Sequence, residues 1–123
     1  MSAPPVKVNI SEKLAGFSDY WNPVIVGEVN DCHIKLVKFQ GAFCWHSHAD
    51  EDEMFLVIAG NFVMHFRGGS VPVGEGDFII VPRGTEHMPE AKEEVQVLLV
   101  EPKSTRNTGE VTEARTVEVL RRL

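Results

Sequence analysis

The amino-acid sequence predicts an all-β fold, a sandwich or a barrel, with one short helix near its N-terminus. Helical spacing occurs only at the start, where Ile10, Leu14 and Phe17 recur at i, i+4 and i+7. From Val24 onwards, short apolar runs alternate with Gly, Asn, Asp and Pro, which is the pattern of strands joined by turns. The 123 residues, 43% hydrophobic and 24% charged, fit one globular domain over residues 1–123.

Capping residues define the predicted helix. Asn9 and Glu12 have the spacing of a capping box, in which the first side chain accepts a hydrogen bond from the backbone N–H of the second. Asn22-Pro23 cannot continue a helix, because proline lacks the backbone N–H and clashes with the preceding turn. We therefore expect the helix to begin after Asn9 and to end before Asn22.

Turn residues divide the rest of the chain into strands. Asn30-Asp31 and Gly60-Asn61 are each flanked by apolar runs and tolerate positive φ, so each predicts a hairpin. A further strand opens at Gly41 and runs through two histidines to about His48. The complete set of predicted strands covers residues 24–29, 33–39, 41–48, 54–59, 62–66, 78–81 and 95–100, with a terminal strand over 116–120.

The strand at residues 54–58 is apolar on both faces. Its sequence, Met-Phe-Leu-Val-Ile, contains no polar position, whereas a strand with one solvated face alternates. Its outer face must therefore be covered by the N-terminal helix, by a second sheet or by another copy of the chain. From this pattern we predict a homodimer.

Charge and composition exclude several classes of partner. The net charge is −6 and the twelve basic residues are scattered, which argues against a nucleic-acid-binding protein. The sequence contains neither the long apolar run of a membrane span nor the basic and apolar segments of a signal peptide, so we expect a cytoplasmic protein with no membrane partner. Without a secretory context, Cys32 and Cys44 are expected to be free thiols.

Four residues form a candidate metal site. His46 and His48 stand at i and i+2, so on an extended strand their imidazoles point the same way and can converge on one ion. Taken alone, such a pair also fits a pair of surface histidines. Glu53 follows at the head of the next strand, predicted to pair back against the histidine strand, and His87 begins a later one. Three nitrogens and one oxygen suit an octahedral first-row ion with positions left open for water, substrate or dioxygen.

The spacing of these residues resembles that of the small single-domain cupins. The first cupin motif is matched by Gly41, His46, His48, Glu53 and Gly60, and the second by Gly76, Pro82, Gly84 and His87. The two motifs together cover residues 41–91. Two positions depart from the family pattern: Gly41 precedes His46 by one residue fewer than usual, and Ala91 stands where an asparagine often closes the second motif.

The resemblance implies a fold and a metal. The fold is the cupin-type double-stranded β-helix, a jelly-roll barrel, with His46, His48, Glu53 and His87 as ligands of a divalent transition metal ion (Fe, Mn, Ni or Zn). The family spacing selects Glu53 over its acidic neighbours, so residues 50–52 are predicted to form a solvated turn. Because metal-binding histidines must be neutral, we expect metal loss below about pH 6.

Five further residues are candidates for lining a substrate site. Gln40, Arg67 and Arg83 could reach a polar substrate from the mouth of the barrel. Cys44 shares a face with the histidines, although a buried thiol also fits as a small apolar side chain. His65 could orient a ligand or act as a general base, although a hydrogen-bonded core or surface histidine fits equally.

The expected function is that of a metal-dependent enzyme on a small molecule with an oxygen donor, either a dioxygenase or a sugar-type isomerase. Residues 101–109 resemble a subgroup of cupins described as similar to mannose-6-phosphate isomerase, but no cluster of Lys or Arg marks a phosphate site. The alternative is a non-catalytic module that binds or senses a small ligand through the metal. The barrel is compatible with both, because one fold hosts many chemistries.

Overall fold

The computed structural model describes residues 3–123. It confirms the mainly β architecture with one short N-terminal helix. In these residues the chain forms, in order, α1 (Ile10–Leu14), β1 (Val24–Val29), β2 (Cys32–Ala42), β3 (Glu53–Ala59), β4 (Asn61–Phe66), β5 (Gly69–Gly74), β6 (Phe78–Val81), β7 (His87–Pro102) and β8 (Arg121–Arg122).

The capped helix is present but short. The Asn9 side chain accepts a hydrogen bond of 2.9 Å from the backbone N–H of Glu12, as the capping-box spacing predicts. The helix ends at Leu14, and Phe17 is buried just beyond it. Within residues 3–123, no helix has the length and hydrophobicity to cross a membrane.

Strand β7 is the centre of the sheet. Along one edge it pairs antiparallel with β2 over almost its whole length. Along the other edge it pairs first with β4 and then with β3. The remaining strands lie outside these: β5 beside β4, β6 beside β3, and β1 and β8 beyond β2. Because β7 is paired along both edges, polar side chains that are 50 or more residues apart in the sequence can face each other in the interior.

One of the two predicted hairpins is correct. Asn30 has φ 50° and reverses the chain between β1 and β2, which pair with each other. Gly60 also has positive φ, 89°, but β3 and β4 do not pair with each other, so the hairpin predicted at Gly60-Asn61 is wrong. The chain instead continues along β7, and a Cβ at Gly60 would lie only 2.9 Å from the Glu94 carbonyl oxygen.

Three strand predictions also need correction. The strand predicted through the histidines ends at Ala42, and residues 43–48 continue beside β7 through one isolated bridge between His46 and His87. Glu53 therefore heads a strand that pairs with β6 and β7, not with the histidine segment. The terminal strand is β8, not residues 116–120. Strand β5 was not predicted, because Pro72 and the flanking glycines obscure its alternation.

Side chains alternate between two apolar clusters. The inner cluster fills the barrel and includes Phe39, Phe55, Val57, Val95 and Val97. The outer cluster is built from Leu14, Phe17, Val24 and Leu36, against which Ile58 of β3 and Leu98 of β7 pack. The segment around α1 therefore covers part of the outer sheet face, one of the three coverings that the sequence allowed.

Candidate metal centre

His46, His48, Glu53 and His87 converge inside the barrel, as their spacing predicted. One potential ligand atom from each lies within 4.8 Å of the others, and the four residues are only 0 to 4% exposed. The bridge between the backbones of His46 and His87 fixes two of them, and the Gly84 N–H donates to the His48 carbonyl at 2.7 Å. Glu53 enters from the head of β3. The cluster could hold a metal ion.

Backbone carbonyls set the tautomers of two of the imidazoles. Nδ1 of His46 lies 2.9 Å from the Cys44 carbonyl oxygen, and Nδ1 of His87 lies 2.9 Å from that of Thr85. A carbonyl oxygen can only accept, so each Nδ1 carries the proton. In the neutral rings the lone pairs are therefore on Nε2, the arrangement in which a histidine binds a metal through one nitrogen and is oriented through the other.

These tautomers create a conflict that a cation would remove. Nε2 of His87 lies 3.2 Å from Oε1 of Glu53, so in the neutral ring a lone pair faces a carboxylate oxygen. Nε2 of His48 lies 2.8 Å from the same oxygen, yet it is a buried nitrogen without a hydrogen-bond partner, because the short distance lacks the required direction. Electron-rich atoms crowded in a buried site repel one another unless a positive ion lies between them. The donor set thus fits a divalent cation.

The pKa of His46 is lowered to about 4. Burial is the main cause, and the neighbouring His87 adds to it. His46 therefore stays neutral to a lower pH than the unperturbed value on which the expectation of metal loss below about pH 6 depended.

We expect the metal-free protein to lose stability as the pH falls from 6.5 towards 4. Over this window the unfolded chain takes up a proton at His46 that the folded chain does not, which removes about 3 kcal/mol from the free energy of unfolding. Urea unfolding at several pH values would measure this loss. The variant His46→Gln should show a shallower dependence, and an unchanged pH dependence in that variant would contradict the assignment.

A buried carboxyl and a buried lysine lie behind Glu53. Nζ of Lys35 is 2.7 Å from Oε1 of Glu101, and both side chains are 2% exposed. Burial raises the pKa of Glu101 well above its ordinary value, the adjacent Glu53 carboxylate raises it further, and the Lys35 ammonium opposes both without reversing them. Burial alone would also raise the pKa of Glu53, but the hydrogen bond from Glu101 is the largest of the effects that hold it well below its ordinary value. Of the two carboxyls, Glu53 is thus the stronger acid, and Glu101 is the one that takes up a proton first as the pH falls.

A largely apolar cavity opens beside the cluster. It is open to solvent and has a volume of about 40 Å³, and His46, Glu53 and Glu101 form part of its wall. The rings of Phe39, Trp21 and Phe43 form a stacked column along it, with centroid separations of 4.6 and 4.4 Å. The rest of the lining is Pro23, Val37, Phe55, Pro89, Leu99 and Asn107.

None of the five predicted substrate-lining residues is part of this wall. Gln40 is exposed and accepts a hydrogen bond from Tyr20. His65 lies on the outside of β4, and Arg67 stacks on the Trp45 ring at 3.8 Å. Arg83 lies near Asp52 on the surface, and the Cys44 thiol is half-buried, with burial raising its pKa. A role for Gln40, Cys44, His65, Arg67 or Arg83 at the barrel mouth remains a prediction.

The acidic residues after His48 form a turn. Asp50 and Asp52 are exposed, and Asp52 accepts a hydrogen bond of 2.9 Å from the backbone N–H of Arg83. Glu51 accepts one of 2.8 Å from the Ser104 hydroxyl. The cluster that could hold a metal ion among the described residues does not include them.

A glycine after β7 holds the histidine segment in place. Gly109 has φ 58° and is buried, and a Cβ there would collide with the Ser47 carbonyl and lie 3.4 Å from the His46 ring. The next residue, Glu110, donates its backbone N–H to the Ser47 carbonyl at 3.2 Å. The sequence predicted a loop here but gave no sign of this contact.

We expect Gly109→Ala to lower the free energy of unfolding by about 2 kcal/mol or more and to reduce metal content, because it combines strain with displacement of the His46–His48 segment. Chemical denaturation and elemental analysis would measure both. Gly68→Ala is the matched control, since Gly68 has no positive φ and open space around it. Equal behaviour of the two variants would contradict this role for Gly109.

Sequence reasoning missed the residues that complete the site. Lys35 was read as part of an ordinary strand, Glu101 as the residue after one, Trp21 as part of the predicted helical segment and Asn107 as part of a loop. No local signal marked the two charged residues, because Lys35 stands in an alternating run and Glu101 follows the strand predicted over residues 95–100.

Comparisons with known proteins agree with this architecture. The profile of the Cupin domain family matches residues 35–101. The crystal structure of a cupin-2 domain containing protein from Shewanella frigidimarina superposes with a TM-score of 0.77, at 40% identity, covering 78% of this chain and 94% of that one. Protein NMB1881 from Neisseria meningitidis superposes with a TM-score of 0.73, at 27% identity, covering 80% and 100%.

A curated relative adds sequence support. The uncharacterized protein YdbB of Bacillus subtilis is 35% identical over 79 residues, which is 63% of this chain and 64% of that protein. This chain therefore spans a little less than two thirds of that relative. The family profile covers more than half of this chain, and it includes all four residues of the buried cluster. The chain belongs to the cupin family.

Proposed function

We propose that this protein is a metal-dependent enzyme that acts on a small molecule with an oxygen donor at one end and an apolar body. The observation that carries the proposal is the aromatic, apolar cavity that adjoins the His46–His48–Glu53–His87 cluster. Between the two chemistries suggested by the sequence, this wall favours a dioxygenase-type reaction over sugar isomerisation.

The cavity wall explains this preference. A sugar carries a hydroxyl on nearly every carbon, and each hydroxyl buried without a hydrogen bond costs about 1–3 kcal/mol. The wall offers only His46, Glu53, Glu101 and Asn107 as polar side chains, and neither Lys nor Arg belongs to it. A planar apolar body would instead pack along the column of Trp21, Phe39 and Phe43.

The chain's own residues have definable roles in such a reaction. His46, His48, Glu53 and His87 would hold the divalent ion, which would supply Lewis-acid or dioxygen chemistry facing the cavity. Glu101 lines the same cavity, and because its pKa is raised it can take up a proton from a bound ligand or release one to it. The apolar walls exclude water from the reacting centre.

The test begins with the metal. Protein purified without added metal is analysed for its elements, then stripped and reloaded with Fe(II), Mn(II) or Zn(II). We expect dioxygen uptake by the Fe(II) form with a catechol or an aryl hydroxy acid, and no conversion of mannose 6-phosphate. Saturable binding of the aromatic compounds without turnover would instead support the non-catalytic ligand-binding alternative. Conversion of mannose 6-phosphate would overturn the preference stated above.

We also propose that the protein is a homodimer. In β6, which among the described strands pairs only with β3, Phe78 is 61% and Ile80 54% exposed. They lie opposite Leu56 and Met54, so an apolar patch continues across both strands at a sheet edge. Light scattering should give twice the chain mass for the wild type and the single mass for Phe78→Ser/Ile80→Thr. A monomeric wild type would contradict the proposal.

A further inference from the structure

A second cleft lies apart from the metal centre. It is formed by Ile25 of β1, His33 of β2, residues 103–107 after β7 and the C-terminal segment from 117 to 122. We call it the C-terminal cleft. Unlike the cavity beside the cluster, much of its wall is polar or basic.

Buried polar atoms without a partner are concentrated in two places. In the part of the chain that the structure describes, six buried side-chain nitrogen or oxygen atoms have no hydrogen-bond partner. Two of them, on His48 and Glu101, belong to the metal centre or adjoin it. Three more, Nδ1 of His33, Oγ1 of Thr105 and Nε of Arg106, belong to residues that line the C-terminal cleft. Because native proteins satisfy nearly all such groups, a concentration of them indicates partners from outside the chain, either water or a bound ligand.

All three of these atoms can donate a hydrogen bond. Arg106 is always charged and its Nε has only a donor, whereas the Thr105 hydroxyl and the His33 ring can donate or accept. Thr105 is 5% and His33 8% exposed, so the latter two groups are held in the interior wall and not on flexible surface chains. Nη2 of Arg106 donates to Thr112 at 2.7 Å and to Glu118 at 3.1 Å, which fixes the guanidinium.

The charge of the cleft favours an anion. Lys103, Arg106 and Arg122 line it, against one lining acid, Glu118. Glu28 partly neutralises Lys103 and Arg122 from outside the wall, at 2.9 and 3.2 Å. The pKa of His33 is lowered, mainly by burial and next by Lys35, whereas Glu28, 3.8 Å from its Nε2, acts in the opposite direction.

We propose that the C-terminal cleft binds a small oxyanion, a carboxylate or a phosphate group, through His33, Thr105 and Arg106. An oxyanion offers several acceptor lone pairs at once, and charge-assisted hydrogen bonds to arginine are among the stronger ones in proteins. The site is independent of the proposed enzymatic function, so either can fail without the other. The C-terminal cleft is nevertheless connected to the metal centre through β2, because His33 is two residues from Lys35 and the Lys35 ammonium contacts Glu101 beside the metal centre.

The test uses the full chain after removal of metal by chelation, so that an anion cannot bind to an ion. Inorganic phosphate and acetate are titrated separately, by calorimetry and by NMR of the ¹⁵N-labelled imidazoles. We expect at least one of them to bind saturably, to shift the signals of His33, and to leave those of His46, His48 and His87 unchanged. Which probe binds more tightly distinguishes a phosphate-bearing ligand from a carboxylate.

Two variants keep the proposal falsifiable. Thr105→Val preserves the shape of the side chain and Arg106→Gln removes the charge, and each should weaken binding by about tenfold or more. Lys92→Ala, which removes an exposed charge elsewhere on β7, should leave the affinity within about twofold. The proposal is overturned if neither probe saturates by about 10 mM, if the His33 signals do not move, or if the folded Thr105→Val variant binds as the wild type does.

Discussion

Replacing both His48 and His87 by alanine is expected to abolish metal binding while leaving a folded barrel. The wild-type cluster offers four donor atoms within 4.8 Å of one another, and the double variant keeps only two of them. Two donors cannot hold a first-row ion against competition from water and buffer, so the metal content should fall from about one per chain to near zero. Elemental analysis of protein purified in parallel would measure the change.

His65→Ala is the matched control for this experiment. It is the same substitution in the same barrel, but His65 lies outside the cluster and contacts Ser70 at 2.6 Å and Glu90 at 2.9 Å. Its metal content should equal that of the wild type. His48→Ala alone, with its fold checked by circular dichroism, distinguishes loss of a ligand from loss of structure. Full metal content in a folded double variant would show that the ion binds elsewhere.

The barrel should not unfold when these imidazoles are removed. In the metal-free protein, the unprotonated Nε2 of His87 faces a carboxylate oxygen at 3.2 Å, and Nε2 of His48 has no hydrogen bond. Removing these contacts relieves repulsion, which offsets part of the cost of the cavities that alanine leaves.

His46 and His48 could be identified from the sequence by their local spacing, and Glu53 and His87 by the match to the two cupin motifs. Two histidines at i and i+2 share a side of any extended segment, even though the segment is held by a single bridge and not by a full strand. The wrong hairpin at Gly60 has the opposite origin. A positive φ indicates a bend in the chain but not the strand with which the next segment pairs. Here β3 and β4 both pair with β7 and not with each other. The residues around Gly60 give no information about this distant pairing partner.

The charged residues behind the cluster could not be predicted for a related reason. In the run from His33 to Phe39, Ile34 and Leu36 alternate with His33 and Lys35, so the pattern places the apolar pair inside and the polar pair in solvent. In the structure Leu36 is buried in the outer cluster under the N-terminal segment, and Lys35 faces the interior. Its partner Glu101 is 66 residues away, and only the register of β2 against β7 brings them together.

Lys35→Met is expected to destabilise the protein by about 3–5 kcal/mol, the cost of leaving one member of a buried charged pair without the other. Glu101 is 2% exposed and adjoins the Glu53 carboxylate, so without the ammonium it must carry a proton or lie as an unpaired charge. The loss in free energy of unfolding should therefore be larger at pH 8 than at pH 5, since protonation of Glu101 at the lower pH removes the unpaired charge. Urea unfolding of the metal-free protein at both pH values would measure it.

A double-mutant cycle separates the interaction between Lys35 and Glu101 from the effect of each substitution on side-chain packing. Lys35→Met/Glu101→Gln should recover much of the stability that Lys35→Met loses, because the unpaired carboxylate is gone. Lys103→Met is the matched control: Lys103 also pairs with a glutamate, Glu28, at 2.9 Å, but both side chains are more than two-fifths exposed, so its loss should cost less than about 1 kcal/mol. Equal costs for Lys35→Met and Lys103→Met would mean that the interior of this barrel is wet enough to screen Lys35 from Glu101. Glu101, which also lines the aromatic cavity, would then be in contact with water.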